Sequence, residues 1–236
     1  MSMDRILAVS DIHGQFHALQ RALSAAEFSP SRDHLWVLGD MVDRGPDSYR
    51  VVMWLQEIAD VILQGNHEDA WARWAITENA HITAQLDDNG GQATRESFGD
   101  VRQLKAIARW FATLPLWAQH HDLLAVHAGI RPFIPLQQQL SDDLLWIRDE
   151  FFENPYGTDA FATIVFGHTP TLLLPRSQAE RVWRWRNRIG IDTAAGWGGP
   201  VTVVDLVSGT CFPSEHQPYS VLPALWHVSQ SSTAHS

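Results

Sequence analysis

Five short polar motifs, each set just after an apolar run, constrain this chain more than any other feature. They are Asp11-Ile12-His13-Gly14, Gly39-Asp40-Met41-Val42-Asp43-Arg44-Gly45, Gly65-Asn66-His67-Glu68, His127-Ala128-Gly129 and Gly167-His168-Thr169. Ile6–Val9, Leu35–Leu38 and Val61–Leu63 have the length and apolar continuity of buried strands. Between them Phe16, Leu19, Leu23 and Ala26, then Val51, Leu55 and Ile58, recur at helical spacing, which makes two βαβ steps. Parallel strands joined by crossover helices end at one edge of a sheet, so the polar motifs that follow them converge.

Beyond this the chain reads as a helical insert over about 69–110, broken by the Asn-Gly-Gly run within Asp87–Gly91. Leu114–His120 and Leu123–His127 read as a strand pair, and Thr163–Phe166, Val182–Trp185, Arg188–Asp192 and Val201–Leu206 as further strands. A βαβ first half and a β-rich, mostly antiparallel second half predict an α/β fold of two sheets packed face to face with helices outside. The expected organisation is one domain over 1–228, with a Ser/His/Thr-rich tail, 229–236, that frays.

Carboxylate, amide and imidazole donors without cysteine suit borderline or harder divalent ions such as Mn, Fe or Zn. Asp11, His13, Asp40, Asn66, His127 and His168 are too many ligands for one tetrahedral site. They suit two ions about 3.5–4 Å apart, bridged by a carboxylate, for which Asp40 is the candidate. Such a pair activates water and orients phosphate oxygens for in-line attack. His67 is placed to protonate the leaving oxygen, with Asp43 fixing its tautomer. Arg44 and Arg148 offer planar forks for phosphate, and Arg131 is a further candidate. Other histidines, among them His17, His34, His81, His120, His121, His216 and His227, read as structural or surface residues. In Trp183–Arg186 the tryptophans are expected to pack inward and the arginines to face water. Trp54, Trp71, Trp74 and Trp110 are expected to be helix packing residues.

A formal charge of −10 with a single lysine argues against tracking long nucleic acid. The one cysteine, Cys211, forbids an internal disulfide and fits a reducing compartment. No apolar run reaches membrane-spanning length and the N-terminus lacks a signal-like run, so a cytoplasmic protein without a membrane partner is expected.

Together the motifs DIHG, GDMVDRG, GNHE, HAG and GHT resemble the phosphoprotein phosphatase branch of the calcineurin-like metallophosphoesterases, particularly its small bacterial and phage members, over roughly Ile6 to Leu206. The resemblance implies a four-layer αββα metallophosphoesterase sandwich, two divalent metals (Mn, or Fe/Zn) and hydrolysis by a metal-activated water. It implies that Asp11, His13 and Asp40 bind one metal and Asp40, Asn66, His127 and His168 the other. His67 with Asp43 would be the acid dyad, and Arg44 and Arg148 would bind phosphate. The implied activity is a serine/threonine-type protein phosphatase acting on a phosphoprotein or phosphorylated small molecule. The alternative is a symmetrical bis(5'-nucleosyl)-tetraphosphatase, a relative that commonly carries GDLVARG and GNHD. Asp43, Glu68 and a shorter C-terminal region set this chain apart from that pattern. An inactive binding scaffold would be expected to have lost ligands or the acid histidine, and this chain keeps them all.

Overall fold

Strand β1 (Arg5–Val9) leads through the Asp11–Gly14 turn into α1 (Phe16–Ala25), which buries Phe16, Leu19, Ala22 and Leu23 along one stripe. The unit repeats with β2 (Asp33–Val37), α2 (Ser48–Ile58) and β3 (Val61–Ile62). These strands pair in parallel, Val9 opposite Val37 and Val37 opposite Ile62, so their three motifs leave from one edge, as expected. This computed structural model describes residues 5–77, 79–158, 160–178 and 181–220. The tail expected at 229–236, and His227, lie outside the described residues.

The insert is four helices: α3 (Asn66–Thr77), α4 (Ala80–Asp88), α5 (Gly91–Phe98) and α6 (Val101–Phe111). The break falls at Asn89-Gly90, where Gly90 takes φ +89°. Asp100 caps α6 by accepting the Arg102 N–H at 2.8 Å. The first helix starts earlier than expected, inside the Gly65–Glu68 motif, so Asn66 and His67 sit on its opening turn.

Next come β4 (Trp117–His120) and β5 (Leu123–Val126), then α7 (Ser141–Trp146) and α8 (Asp149–Phe152), then β6 (Thr163–Phe166), β7 (Trp183–Trp185), β8 (Arg188–Gly190), β9 (Thr202–Asp205), β10 (Thr210–Pro213) and β11 (Tyr219–Ser220). One sheet has the order β11-β10-β9-β1-β2-β3 and the other β4-β5-β6-β8-β7. The antiparallel expectation holds for β4–β5, β7–β8, β9–β10 and β10–β11. It does not hold for β5–β6 or β6–β8, which are parallel because long connections carry the chain back across the sheet. That arrangement puts His127, His168 and the residues after β8 at one edge.

Period-two alternation then explains the layers. Ala8, Leu38 and Leu63 of the first sheet meet Ala125, Val165 and Ile189 of the second between the sheets. Leu7, Val9, Leu35 and Val37 point the other way, onto the helices that carry Leu19, Leu55, Trp71 and Phe111. Leu124, Val126, Ile164 and Phe166 pack outward on Leu144, Ile147 and Phe151. The result is the four-layer αββα sandwich. Full burial of each such Leu, Val or Phe contributes about 1.5–3 kcal/mol. Trp183 is buried while Arg184 and Arg186 are exposed, as the alternation predicts. Trp71 and Trp74 are buried in the helix–sheet core, with Trp54 and Trp110 packed against it.

Candidate active site

The motif loops meet because they are laced together by their own main chains. Asp11 N–H donates to the Gly39 carbonyl (3.1 Å), His13 N–H to Asp40 (2.9 Å), Gly14 N–H to Met41 (2.9 Å) and Gly45 N–H to His13 (3.0 Å). Tight turns of this kind push side-chain-bearing residues into left-handed backbone: φ is 50° at Asp11, 46° at His13, 54° at Asp40, 72° at Asp43, 66° at Arg44 and 62° at His168. Each such residue costs on the order of 1 kcal/mol or more and persists only where its surroundings hold it. Glycine is needed where loops touch: a Cβ on Gly65 would lie 2.3 Å from Asp40 Oδ1, and one on Gly167 would lie 2.1 Å from Asp11 Oδ2.

Within this frame Asp40 is central. His13 Nε2 lies 3.7 Å from Asp40 Oδ2, His67 Nε2 3.8 Å from the same oxygen, and His127 Nε2 3.5 Å from Oδ1. Ligand-type atoms of His13, Asp40 and His67, and those of Asp40, His127 and His168, form two buried groups that share Asp40, each within a 4.8 Å span. Asn66 Oδ1 joins the second group, 2.9 Å from His127 Nε2 and 2.8 Å from His168 Nδ1. Asp11 sits beside them, its Oδ2 accepting the Ser10 hydroxyl at 2.5 Å and the His168 N–H at 2.9 Å. The six residues expected as ligands are thus brought together, with the dyad histidine at their edge.

Donor chemistry here fits divalent cations. His13 and His127 each place Nδ1 2.8 Å from a carbonyl, Val42 and Leu38 respectively; as Nδ1–H tautomers they turn Nε2 lone pairs inward. Those lone pairs face the oxygens of Asp40 and Asn66, an array of acceptors that a bound cation would satisfy. His168 Nε2 is buried with no hydrogen-bond partner among the described residues. Arg44 has Nη1 2.9 Å from His13 Nε2 and Nη2 3.3 Å from His67 Nε2.

Buried charge shifts these groups apart. Burial, aided by the neighbouring Asp40 charge, pushes Asp11 up to about 6. Burial opposes ionisation of Asp40 too, but the histidines around it, His127 foremost, hold its carboxyl below the ordinary range. Burial and neighbouring positive charge pull His13 down to about 3 and His168 well below its usual value. Burial also pulls on His67, yet the Asp40 charge and the Asp43 hydrogen bond hold it up at about 9.

His67 Nδ1 is 2.6 Å from Asp43 Oδ2, both groups buried, so the expected pair exists. Arg148 donates to Thr169 Oγ1 at 3.0 Å, which sets it beside His168 instead of pairing with Asp149 or Glu150. Arg131 is spent elsewhere: it grips Asp143 at 2.6 Å and pairs with Glu150, so it offers no open fork. His34 pairs with Asp60 at the surface, 3.0 Å away.

The roles of four residues escaped the sequence reading. Glu68 is fully buried and clamps main chain. Trp71 and Thr94 bind Asp43. Asp192, just beyond β8, is buried near Asp11, and burial with the Asp11 charge raises its carboxyl well above the usual range. Asp192 had the same strand-end placement as the motifs that were recognised, and Trp71 lies one helical turn from His67. Thr94 had no such signal.

The family model that matches residues 4–196 is the calcineurin-like phosphoesterase. Serine/threonine-protein phosphatase 1 of Salmonella typhimurium is 31% identical over 208 residues, 84% of this chain and 90% of that protein. The symmetrical bis(5'-nucleosyl)-tetraphosphatase of Chromobacterium violaceum is 31% identical over 133 residues, and the match spans 54% of this chain but 44% of that protein. A solved structure described as a candidate diadenosine tetraphosphatase superposes with a TM-score of 0.66 at 22% identity, covering 90% of this chain and 93% of the other, which is a likeness of fold.

Proposed function

Because the chain belongs to the calcineurin-like phosphoesterase family, we propose that this metal-dependent phosphatase is a serine/threonine-type protein phosphatase with two divalent ions, manganese foremost, held by Asp11, His13 and Asp40 and by Asp40, Asn66, His127 and His168. One observation carries the reading: the Asp40-centred acceptor cluster lies against a histidine–aspartate pair and an arginine fork. Ions bound there supply Lewis-acid activation of water and of phosphate oxygens. The chain's own residues do the rest. Arg44 already reaches toward His67 Nε2, so a phosphate seated on its guanidinium lies beside that nitrogen. Arg148, on the His168 side, holds the phosphate from a second direction. His67 gives its Nε2 proton to the leaving oxygen, while Asp43 keeps the ring oriented through Nδ1. Nucleophilic serine or cysteine has no part; Cys211 is buried in the sheet interface.

The relative matched over 84% of this chain and 90% of its own length is named as a serine/threonine-protein phosphatase, which supports a phosphoprotein substrate. A second reading, hydrolysis of dinucleoside tetraphosphates, draws on the tetraphosphatase relatives, of which the chain matches less than half the length. Asp43 favours the first reading. Among the described residues no helix is long and apolar enough to cross a membrane, and the single buried cysteine fits a cytoplasmic enzyme.

The deciding experiment is phosphate release after chelation and Mn²⁺ add-back, with a phosphoserine/phosphothreonine peptide and diadenosine tetraphosphate assayed side by side. Manganese-restored turnover of the peptide is expected. Turnover of the dinucleotide alone would overturn the protein-phosphatase reading.

A further inference from the structure

The two carboxylate oxygens of Asp43 have different partners. Oδ2 faces His67 Nδ1 at 2.6 Å. Oδ1 takes two donors from the helical insert: the Thr94 hydroxyl on α5 at 2.6 Å and the Trp71 indole N–H on α3 at 2.8 Å. Thr94 Oγ1 also accepts the backbone N–H of Asp43 at 2.8 Å, so one hydroxyl fixes both main chain and carboxylate of the same residue. Ser48 Oγ stands 3.1 Å from Thr94 Oγ1 and closes the ring of contacts. Asp43, Thr94 and Trp71 are all completely buried, where water cannot replace a lost donor.

The insert grips the neighbouring residue as well. Arg44 N–H donates to the Gly90 carbonyl at 3.1 Å. Gly90 passes so close that a Cβ there would lie 2.8 Å from Arg44 N. Asp43 and Arg44, both in left-handed backbone, are therefore held from the insert side, not only by their own loop.

We propose that Thr94, seconded by Trp71, is a positioning residue for leaving-group protonation: the insert holds Asp43 so that Oδ2 stays aimed at His67. The proposal rests on the reading of His67 and Asp43 as the acid pair. Rotation of a carboxylate about its terminal torsion is soft. Removing the donors to Oδ1 frees that torsion, while Ser48 Oγ, 3.2 Å from the Asp43 N–H, and the Gly90 carbonyl on Arg44 N–H still hold the main chain. The loss falls on protonation of the leaving group, not on substrate binding.

Thr94→Val keeps the shape and removes the hydroxyl. Its kcat on a phosphoserine peptide is expected to fall about 10- to 100-fold, the size of losing a hydrogen bond to a buried charge, with KM unchanged. On p-nitrophenyl phosphate, whose leaving group needs no proton, the fall is expected to stay under about 3-fold. Thr94→Ser restores the peptide rate, and Trp71→Phe gives a smaller loss of the same selectivity. Thr94→Val added to Asp43→Asn slows the enzyme no further, because both act through one carboxylate. In chelated protein, the downfield proton resonance of His67 Nδ1–H shifts or broadens in Thr94→Val. Equal losses on both substrates, or additive losses in the double variant, overturn the positioning role while leaving a selective Asp43→Asn, and with it the acid pair, standing. An Asp43→Asn variant that slows both substrates equally removes the acid pair itself and the positioning role with it.

Discussion

Glu68 Oε2 accepts the backbone N–H of Asp40 at 2.8 Å. Its two oxygens also take the N–H groups of Met41 (2.8 Å) and Gly65 (2.9 Å), and the side chain is fully buried. The left-handed turn that aims Asp40 thus stands on one carboxylate. Glu68 faces main chain, not substrate, so the Glu-for-Asp difference from the GNHD pattern carries no direct selectivity.

Glu68→Gln is expected to destabilise the protein by about 1–3 kcal/mol, since an amide turns donors toward N–H groups that need an acceptor. Urea unfolding measures this. Glu68→Asp shortens the clamp and should lower turnover of phosphopeptide and diadenosine tetraphosphate by the same factor. A shift of that ratio toward the dinucleotide would show that position 68 selects substrate after all.

Asp40→Asn tests the shared carboxylate. Asp40 stands in both buried ligand groups and its Oδ1 accepts the His67 N–H at 3.1 Å. Loss of its charge is expected to abolish phosphate release and to weaken retention of both ions. Metal content after dialysis decides the matter: two ions retained with near-normal turnover would remove Asp40 from the bridging role.

His67→Asn should leave metal content unchanged while slowing phosphoserine peptide hydrolysis by about 10²–10⁴-fold, and p-nitrophenyl phosphate hydrolysis far less. The two rates must separate. Equal slowing would mean that His67 acts on something other than the leaving oxygen.

These residues were open to a sequence reading in unequal degree. Asp11, His13, Asp40, Asn66, His127 and His168 each follow a short apolar run, and parallel strands necessarily bring such ends together. Sandwich layering was likewise legible, because alternation in runs such as Leu7-Ala8-Val9 covers both faces of a strand. Left-handed φ at Asp11 and His13 was not, because placement after a strand does not tell which residues of the turn take positive φ. Thr94 reaches Asp43 across a separation of 51 residues, which no local pattern records. Trp71 has an indole N–H with a buried partner, but its helical spacing speaks only of packing. Arg131 shows the converse. Its residue type suited phosphate, and only the fold brought Asp143 and Glu150 to it.

Chelated protein should lose stability as pH rises from about 7.5 toward 9. The sign follows from His67. Its folded value, about 9, lies above the ordinary 6.5, because the Asp40 charge and the Asp43 hydrogen bond outweigh burial. In that window the folded state binds a proton that the unfolded chain has released. Stability from the His67 charge is therefore fully present below 6.5 and is lost as pH rises through the folded value. Asp192, raised by burial and by Asp11, acts in the same direction wherever it keeps its proton. His13 and His168, held low, oppose this slope near 6.5, where the unfolded histidines are still half protonated, and cease to oppose it about one pH unit higher, where they are neutral in both states. Urea midpoints in chelator at several pH values across this range should fall steadily, and His67→Asn should flatten the decline. Saturating Mn²⁺ should flatten it as well, because cations beside Asp40 replace the charge that holds the His67 proton. Midpoints that rise with pH would mean that Asp40 and Asp43 do not hold a proton on His67.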